Sequence, residues 1–268
     1  TTPWTLPANL AVCVGSEIDY AVVQDKKDNS IFLLAQARLQ AYYKNDDDFK
    51  ILKSLKGENL KGIKYEPIFD DYESHTNAFV ILVDSFVSTD DGTGIVHMAP
   101  AYGEDDYRIC RQSNIDIVDP LNEDCVFTEE ISWLKDKFCK DADKEIISLL
   151  KTNDQLVHQS TIQHSYPFCE RTDTPLIYRA IPSWYVAVTN IKENLLNANQ
   201  KISWVPGHIK SGRFGNFLDG AIDWAISRNR VWGTPIPVWQ NDLTGEFVCI
   251  GSIEELAKKT GVTLNDLH

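Results

Sequence analysis

The chain has no Cys-x-x-Cys pair, no Walker loop, no dinucleotide fingerprint, no nucleophile elbow and no zincin helix. These absences exclude the commonest phosphate-binding and hydrolytic signatures and the usual ligand spacing of zinc. Apolar runs are short: Phe79–Val83 is representative of the longest, far below the roughly 18 residues that span a bilayer. No membrane segment is expected. Positive charge is also scarce, with 26 basic against 39 acidic residues and a net charge of −13. Phosphate contacts need clustered Lys and Arg, so a free-standing nucleic-acid binder is disfavoured.

What is present fits a globular fold. The 268 residues are 43% hydrophobic and 24% charged, which rules out collagen, a disordered tail and a coiled coil. Such a length buries on the order of 70–75% of the surface of the unfolded chain. Residues 1–160 hold 16 basic and 29 acidic side chains, whereas residues 161–268 hold 10 of each. A polyanion would therefore be gripped by the second part, where Lys201, Lys210, Arg213, Arg228 and Arg230 face only Asp219 and Asp223. The plainer reading of that cluster is a solvated helix face. Six scattered cysteines with no signal peptide before them fit reduced, buried thiols in a cytosolic protein. A start at Thr1-Thr2, without an initiator methionine, reads as a piece of something longer.

Residues 10–23 read as one or two strands broken at Gly15, and Ala78–Val87 as the clearest strand. Apolar spacing near 3.6 over residues 134–151 predicts an amphipathic helix. Short strands between glycine turns, with a few helices, give a mixed α/β (α+β) class: a β-barrel-like core with peripheral helices. Prolines and aromatics cluster near 160–185, which places a boundary between domains 1–185 and 186–268.

Three stretches could carry chemistry. In Thr1-Thr2-Pro3-Trp4-Thr5-Leu6-Pro7-Ala8-Asn9, prolines hold hydroxyls and amides in extended geometry. A capped edge strand is the alternative. In Gly92-Thr93-Gly94-Ile95-Val96-His97-Met98-Ala99-Pro100-Ala101-Tyr102-Gly103-Glu104-Asp105-Asp106-Tyr107, glycines permit close approach of a ligand. Asp106 falls in the first turn of an expected helix, where the dipole favours its anion and lets it grip an ammonium group. Here the alternatives are a simple helix cap and a satisfied, half-buried His97. In the third, running from Asp223 to Pro237, two arginines and two tryptophans bracket a Gly-x-Pro-x-Pro turn. That is either a nucleotide-facing edge or aromatic packing.

In this order the three stretches resemble the isoleucyl-tRNA synthetase family. The first resembles the threonine-rich peptide of its editing domain, the second the other editing motif, and the third the return into the synthetic domain. Two departures stand out. Family members often carry a third threonine ahead of Thr1, which this chain begins too late to show, and Thr172 sits where a second cysteine would follow Cys169, so no zinc is expected.

The resemblance implies hydrolytic proofreading of valyl-tRNA(Ile), an activity of an aminoacyl-tRNA ligase that acts in translation. A hydrophobic pocket separates valine from isoleucine by only about 1–3 kcal/mol, a general limit for which this amino-acid pair is the standard illustration. A second sieve must cut the wrong ester. By resemblance, Asp106 holds the ammonium group, and His97 lies against the side chain and leaves no room for a further methylene. Thr1, Thr2 and Trp4 line the terminal adenosine and the ester, Asn9 braces them, and Gly94 and Tyr107 complete the substrate contacts. Lys210, Arg213, Arg228 and Arg230 face the tRNA. No cofactor is implied for editing; ATP and magnesium belong to the synthetic part, which is absent here. The implied partners are the valine-bearing acceptor end of tRNA(Ile) and the rest of the parent chain, with the protein a cytoplasmic monomer. The competing readings are a non-catalytic module that docks the tRNA acceptor end and an inert structural insert.

Overall fold

The computed structural model describes residues 2–161, 165–227 and 235–262. Of two units, Thr1–Ala180 and Ile181–His268, the first carries strands β1 (Ala11–Val14), β2 (Asp19–Asp25), β3 (Ile31–Ala35), β4 (Phe49–Lys56), β5 (Val80–Val83) and β6 (Ile95–Met98), and helices α1 (Leu39–Tyr42), α2 (Glu104–Gln112) and α3 (Asp143–Thr152). β1 is apolar throughout because it is central: β5 pairs with it in parallel and β6 antiparallel. That register sets Val12 opposite His97. β2 is the middle strand of an antiparallel sheet with β3 and β4. A register shift interrupts the β2–β4 pairing at Val22/Val23, and Lys50, Lys53 and Lys56 stud the edge strand. Both devices discourage pairing with another chain. The class is mixed α/β as expected, and among the described residues the sheets stay open rather than closing into a barrel.

α2 begins where Gly103 ends an extended segment and three acidic residues, Glu104, Asp105 and Asp106, fill the first turn. Its Ile109 and Cys110 pack with Leu10, Cys13, Phe79, Leu82 and Met98 under the β5–β1–β6 sheet. A second cluster joins Trp4 to Phe127, Ile131, Leu134 and the buried face of α3, Ile146 and Leu150.

Two expected elements are shorter than the sequence pattern suggested. Ala78–Val87 yields only Val80–Val83: Phe79 adopts a left-handed backbone (φ 57°) before the strand, and after it Asp84 turns the chain by accepting the Phe86 N–H (3.1 Å). The helix expected over 134–151 runs only Asp143–Thr152. Asp136 turns left-handed (φ 64°) and Phe138 bridges to Val126, so the preceding apolar residues reach the same core from irregular backbone.

The end of this unit is clasped by Arg179. Its Nε donates to Asp119 Oδ2 (2.7 Å), one terminal nitrogen to the Asn122 carbonyl (2.6 Å) and the other to the Leu121 carbonyl. Asp119 Oδ1 accepts the Tyr102 hydroxyl (3.0 Å). The cysteines are free thiols: Cys13, Cys110 and Cys139 are buried, Cys125 and Cys169 half-buried and Cys249 exposed. Burial pushes Cys13 and Cys110 up to about 12 and Cys139 to about 11, so these three are inert at neutral pH.

The second unit holds β7 (Tyr185–Val186), α4 (Lys192–Lys201), α5 (Arg213–Asp219), β8 (Trp224–Ala225), β9 (Val238–Gln240), β10 (Phe247–Cys249) and α6 (Ile253–Thr260). β7 pairs with β8, and β9 with β10. Buried Asn199 ties α4 to the α5 approach: its amide donates to the Lys210 carbonyl (2.9 Å) and its oxygen accepts the Trp204 indole N–H (2.8 Å). Among the described residues no helix is long and apolar enough to cross a membrane.

Candidate functional site

The threonine-proline strip is not an extended strand. Pro3–Ala8 forms a 3₁₀ helix, started by Thr2 in extended conformation and favoured by Pro3 at its first position. Asn9 leaves the helix extended and leads directly into β1. The strip therefore runs beside β6, the antiparallel neighbour of β1, and meets His97.

The hydrogen bonds at this meeting point fix one another. A carbonyl only accepts, so the Asn9 atom 2.9 Å from the Ala11 carbonyl is the amide nitrogen. The same nitrogen donates to His97 Nδ1 (2.8 Å). The neutral ring then carries its proton on Nε2 and donates it to Thr5 Oγ1 (3.2 Å). Thr5 passes its own proton to the Thr2 carbonyl (2.9 Å). Asn9 Oδ1 in turn accepts the Tyr65 hydroxyl (2.6 Å). Burial pushes His97 down to about 4, so the ring is neutral at physiological pH. With both nitrogens engaged, it has no free lone pair to act as a base.

Asp106 lies beyond the same strand, in the first turn of α2, and its Oδ2 accepts the Ala99 N–H (2.8 Å). Its carboxyl is shifted up from the usual carboxylate range. Desolvation by burial outweighs the Ala99 and Asp106 backbone N–H groups that favour the anion. Burial thus works against the anion that the sequence expectation assigned to this helix N-terminus. Among the described residues no cation pairs with Asp106; the neighbouring Arg108 is committed to Asp84 and Asp105.

The remaining expected residues divide. Asn9 is buried (8% exposed) at the centre of the network, and Thr2 is exposed beside it. Tyr107 is 43% exposed on α2. Trp4 is only 5% exposed: its backbone N–H donates to Asp143 Oδ1 (2.9 Å) and its ring packs edge-on against Tyr102 (4.8 Å). It is a core side chain here, not a lining of the strip's open side. Gly94 also serves the fold. Its φ is 75°, a Cβ there would meet the Ala35 Cβ at 2.5 Å, and its carbonyl accepts the Tyr20 hydroxyl (2.5 Å). Lys210 is engaged with the Gln200 carbonyl (2.8 Å), while Arg213 is exposed at the start of α5. Thr1, Arg228 and Arg230 lie outside the described residues. Among the described residues no group of three or more His, Cys, Asp or Glu side chains could hold a metal ion. An open surface depression at Thr244–Val248 contains none of the expected residues.

Sequence reasoning missed Tyr65. A lone tyrosine in a polar stretch carries no signal of the asparagine it will meet.

Residues 7–265 match the family model described as tRNA synthetases class I (I, L, M and V). The chain is 51% identical over 271 residues to an isoleucine–tRNA ligase of Bdellovibrio bacteriovorus and 48% identical over 270 residues to one of Chlamydia pneumoniae. It is 47% identical over 275 residues to the cytoplasmic isoleucine–tRNA ligase of Mus musculus. All of this chain is covered in each case, but only 26%, 26% and 22% of the relatives, so the chain spans about a quarter of their length. Among solved structures, an editing domain of the P. falciparum cytosolic leucyl-tRNA synthetase aligns at 14% identity over 57% of this chain and 75% of that one, with a TM-score of 0.43.

Proposed function

This chain belongs to the class I tRNA synthetases of the I, L, M and V group, and we propose that it is the proofreading part of an isoleucine enzyme, hydrolysing valine wrongly esterified to the 3′ end of tRNA(Ile). The observation that carries this reading is the state of Asp106. It is a half-buried carboxyl anchored by the Ala99 N–H, and no cation is paired with it among the described residues. A desolvated carboxylate without a counter-ion favours an incoming positive charge, and the α-ammonium group of an aminoacyl ester supplies one.

His97, on β6 and two residues before Ala99, complements that grip. A neutral imidazole held at both nitrogens makes a fixed wall suited to an apolar side chain, and a wall that cannot yield excludes one further methylene. Thr2, exposed beside the network, offers its hydroxyl to the ester end.

For the cleavage itself, the free ribose hydroxyl of the substrate and the hydroxyls and amides of the strip orient the attacking water; an aminoacyl ester is already activated. Asp106 bound to an ammonium is a poor base, and His97 has no lone pair to offer. The scheme needs no cofactor, with ATP and magnesium serving the synthetic part of the parent. The partners in this reading are the valine-bearing acceptor end and the remaining parent chain, and the protein works as a cytoplasmic monomer.

The test is deacylation of valyl-tRNA(Ile) and isoleucyl-tRNA(Ile) by the chain and by Asp106→Ala. The expected result is valyl-selective hydrolysis that the variant loses. Equal, slow rates for both proteins sink the reading, and tRNA binding without cleavage points instead to a docking module.

A further inference from the structure

The site's fixed imidazole depends on a chain of partners that begins outside the two motifs. Tyr65 lies on the segment between β4 and β5, held by its backbone N–H on the Phe79 carbonyl (2.9 Å) and by its ring edge-on to Phe79 (5.9 Å, 90°). Its hydroxyl reaches Asn9 Oδ1 at 2.6 Å. Asn9 is thereby gripped at both ends: the oxygen by Tyr65, the nitrogen by the Ala11 carbonyl and His97 Nδ1. An amide held at one end only can swing about its last torsion, which is broad and soft. Held at both ends, it cannot.

We propose that Tyr65 is a positioning residue for this site: through Asn9 it fixes the Nε2–H tautomer and the ring orientation of His97, and through His97 the aim of the Thr5 hydroxyl at the Thr2 carbonyl. The inference deepens the proofreading reading and rests on it for its functional half. Tyr65 touches no reacting atom. Its contribution is to keep the wall still, so that the sieve has one size. Without the hydroxyl, Asn9 Oδ1 is a buried acceptor with no donor, and the amide shares its time between orientations that hold His97 differently.

The experiment compares Tyr65→Phe with the unaltered chain by ¹⁵N NMR of the histidine ring nitrogens and by deacylation kinetics. Phenylalanine keeps the ring against Phe79, so packing survives. The unaltered chain is expected to show two well-separated nitrogen signals for His97, those of a single neutral Nε2–H tautomer. In Tyr65→Phe the two shifts should move toward each other, with the deacylation kcat falling roughly tenfold and KM little changed. Phe79→Leu, which loosens the same packing but leaves the hydroxyl, should leave the His97 signals in place. Unaltered His97 signals in Tyr65→Phe, or equal changes in Phe79→Leu, overturn the positioning role. If the unaltered chain fails to cleave valyl-tRNA(Ile), the proofreading reading falls, while the NMR comparison still decides whether Tyr65 sets His97.

Discussion

Replacing Asp106 with asparagine separates what this residue does for substrate from what it does for the fold. The amide that takes the place of the carboxylate keeps an oxygen for the Ala99 N–H, so the anchoring hydrogen bond (2.8 Å) survives. What disappears is the charge. A charge-assisted hydrogen bond to an ammonium group contributes about 1.5–3 kcal/mol, which is roughly a 10- to 150-fold fall in kcat/KM for valyl-tRNA(Ile). Stability should move the other way. The Asp106 carboxyl is raised in the folded chain, chiefly by burial, so between its unfolded value near 3.8 and its higher folded value the native state binds more proton than the unfolded one. Its contribution to stability therefore falls as pH rises through that window, and the penalty persists at neutral pH. Asp106→Asn lacks the penalty. In urea melts the variant should match the parent near pH 3.5 and equal or exceed it at pH 7, while being slow in deacylation. A variant less stable at pH 7, by a gap that closes on acidification, would show that the charged carboxylate stabilises the fold; undiminished hydrolysis would remove it from the ammonium site.

Three further predictions concern His97 and Gly94. His97→Ala should let isoleucyl-tRNA(Ile) be hydrolysed, whereas the parent spares it; continued protection in a variant that still folds refutes the wall. The His97 substitution should also flatten the parent's acid limb. A ring held at about 4 against 6.5 unfolded contributes stability that is lost as pH falls from 6.5 toward 4, which urea titrations across that range will show. Gly94→Ala combines a left-handed φ with a clash against the Ala35 Cβ, and should destabilise by about 2 kcal/mol or more in thermal melts. Adding Ala35→Gly should restore only the steric part; full rescue would mean that the backbone angle is immaterial.

How much of this was legible beforehand depended on whether the signal was local. Gly103 followed by three acids announces a helix start without any knowledge of the rest of the chain, and α2 lies where the sequence put it. The periodic stretch 134–151 misled, because apolar residues reach a common core from irregular backbone as readily as from one helix face. Trp4 could not be sorted by pattern: a tryptophan between prolines suits a ligand wall and a core equally, and only Tyr102 and the cluster of Phe127, Ile131 and Leu134, more than ninety residues away, decide it. β4 was unreadable for the opposite reason, since an exposed edge strand needs lysines that hide its alternation. The pairing of Asn9 with His97 was implied by neither motif alone. It is a product of β-register, and register is a property of two strands.

The Arg179 clasp bears on how this chain can be dissected. The proline-rich tract upstream invites a cut, yet the guanidinium near its far end saturates Asp119 and two successive carbonyls. A fragment ending short of residue 179 would leave Asp119 Oδ2 and those two carbonyls without the guanidinium's donors, and Asp119 with only the Tyr102 hydroxyl and the Leu121 N–H on its other oxygen. The loop at 119–122 is therefore secured by an arginine almost sixty residues downstream of it, and a dissection that keeps the loop should keep that arginine.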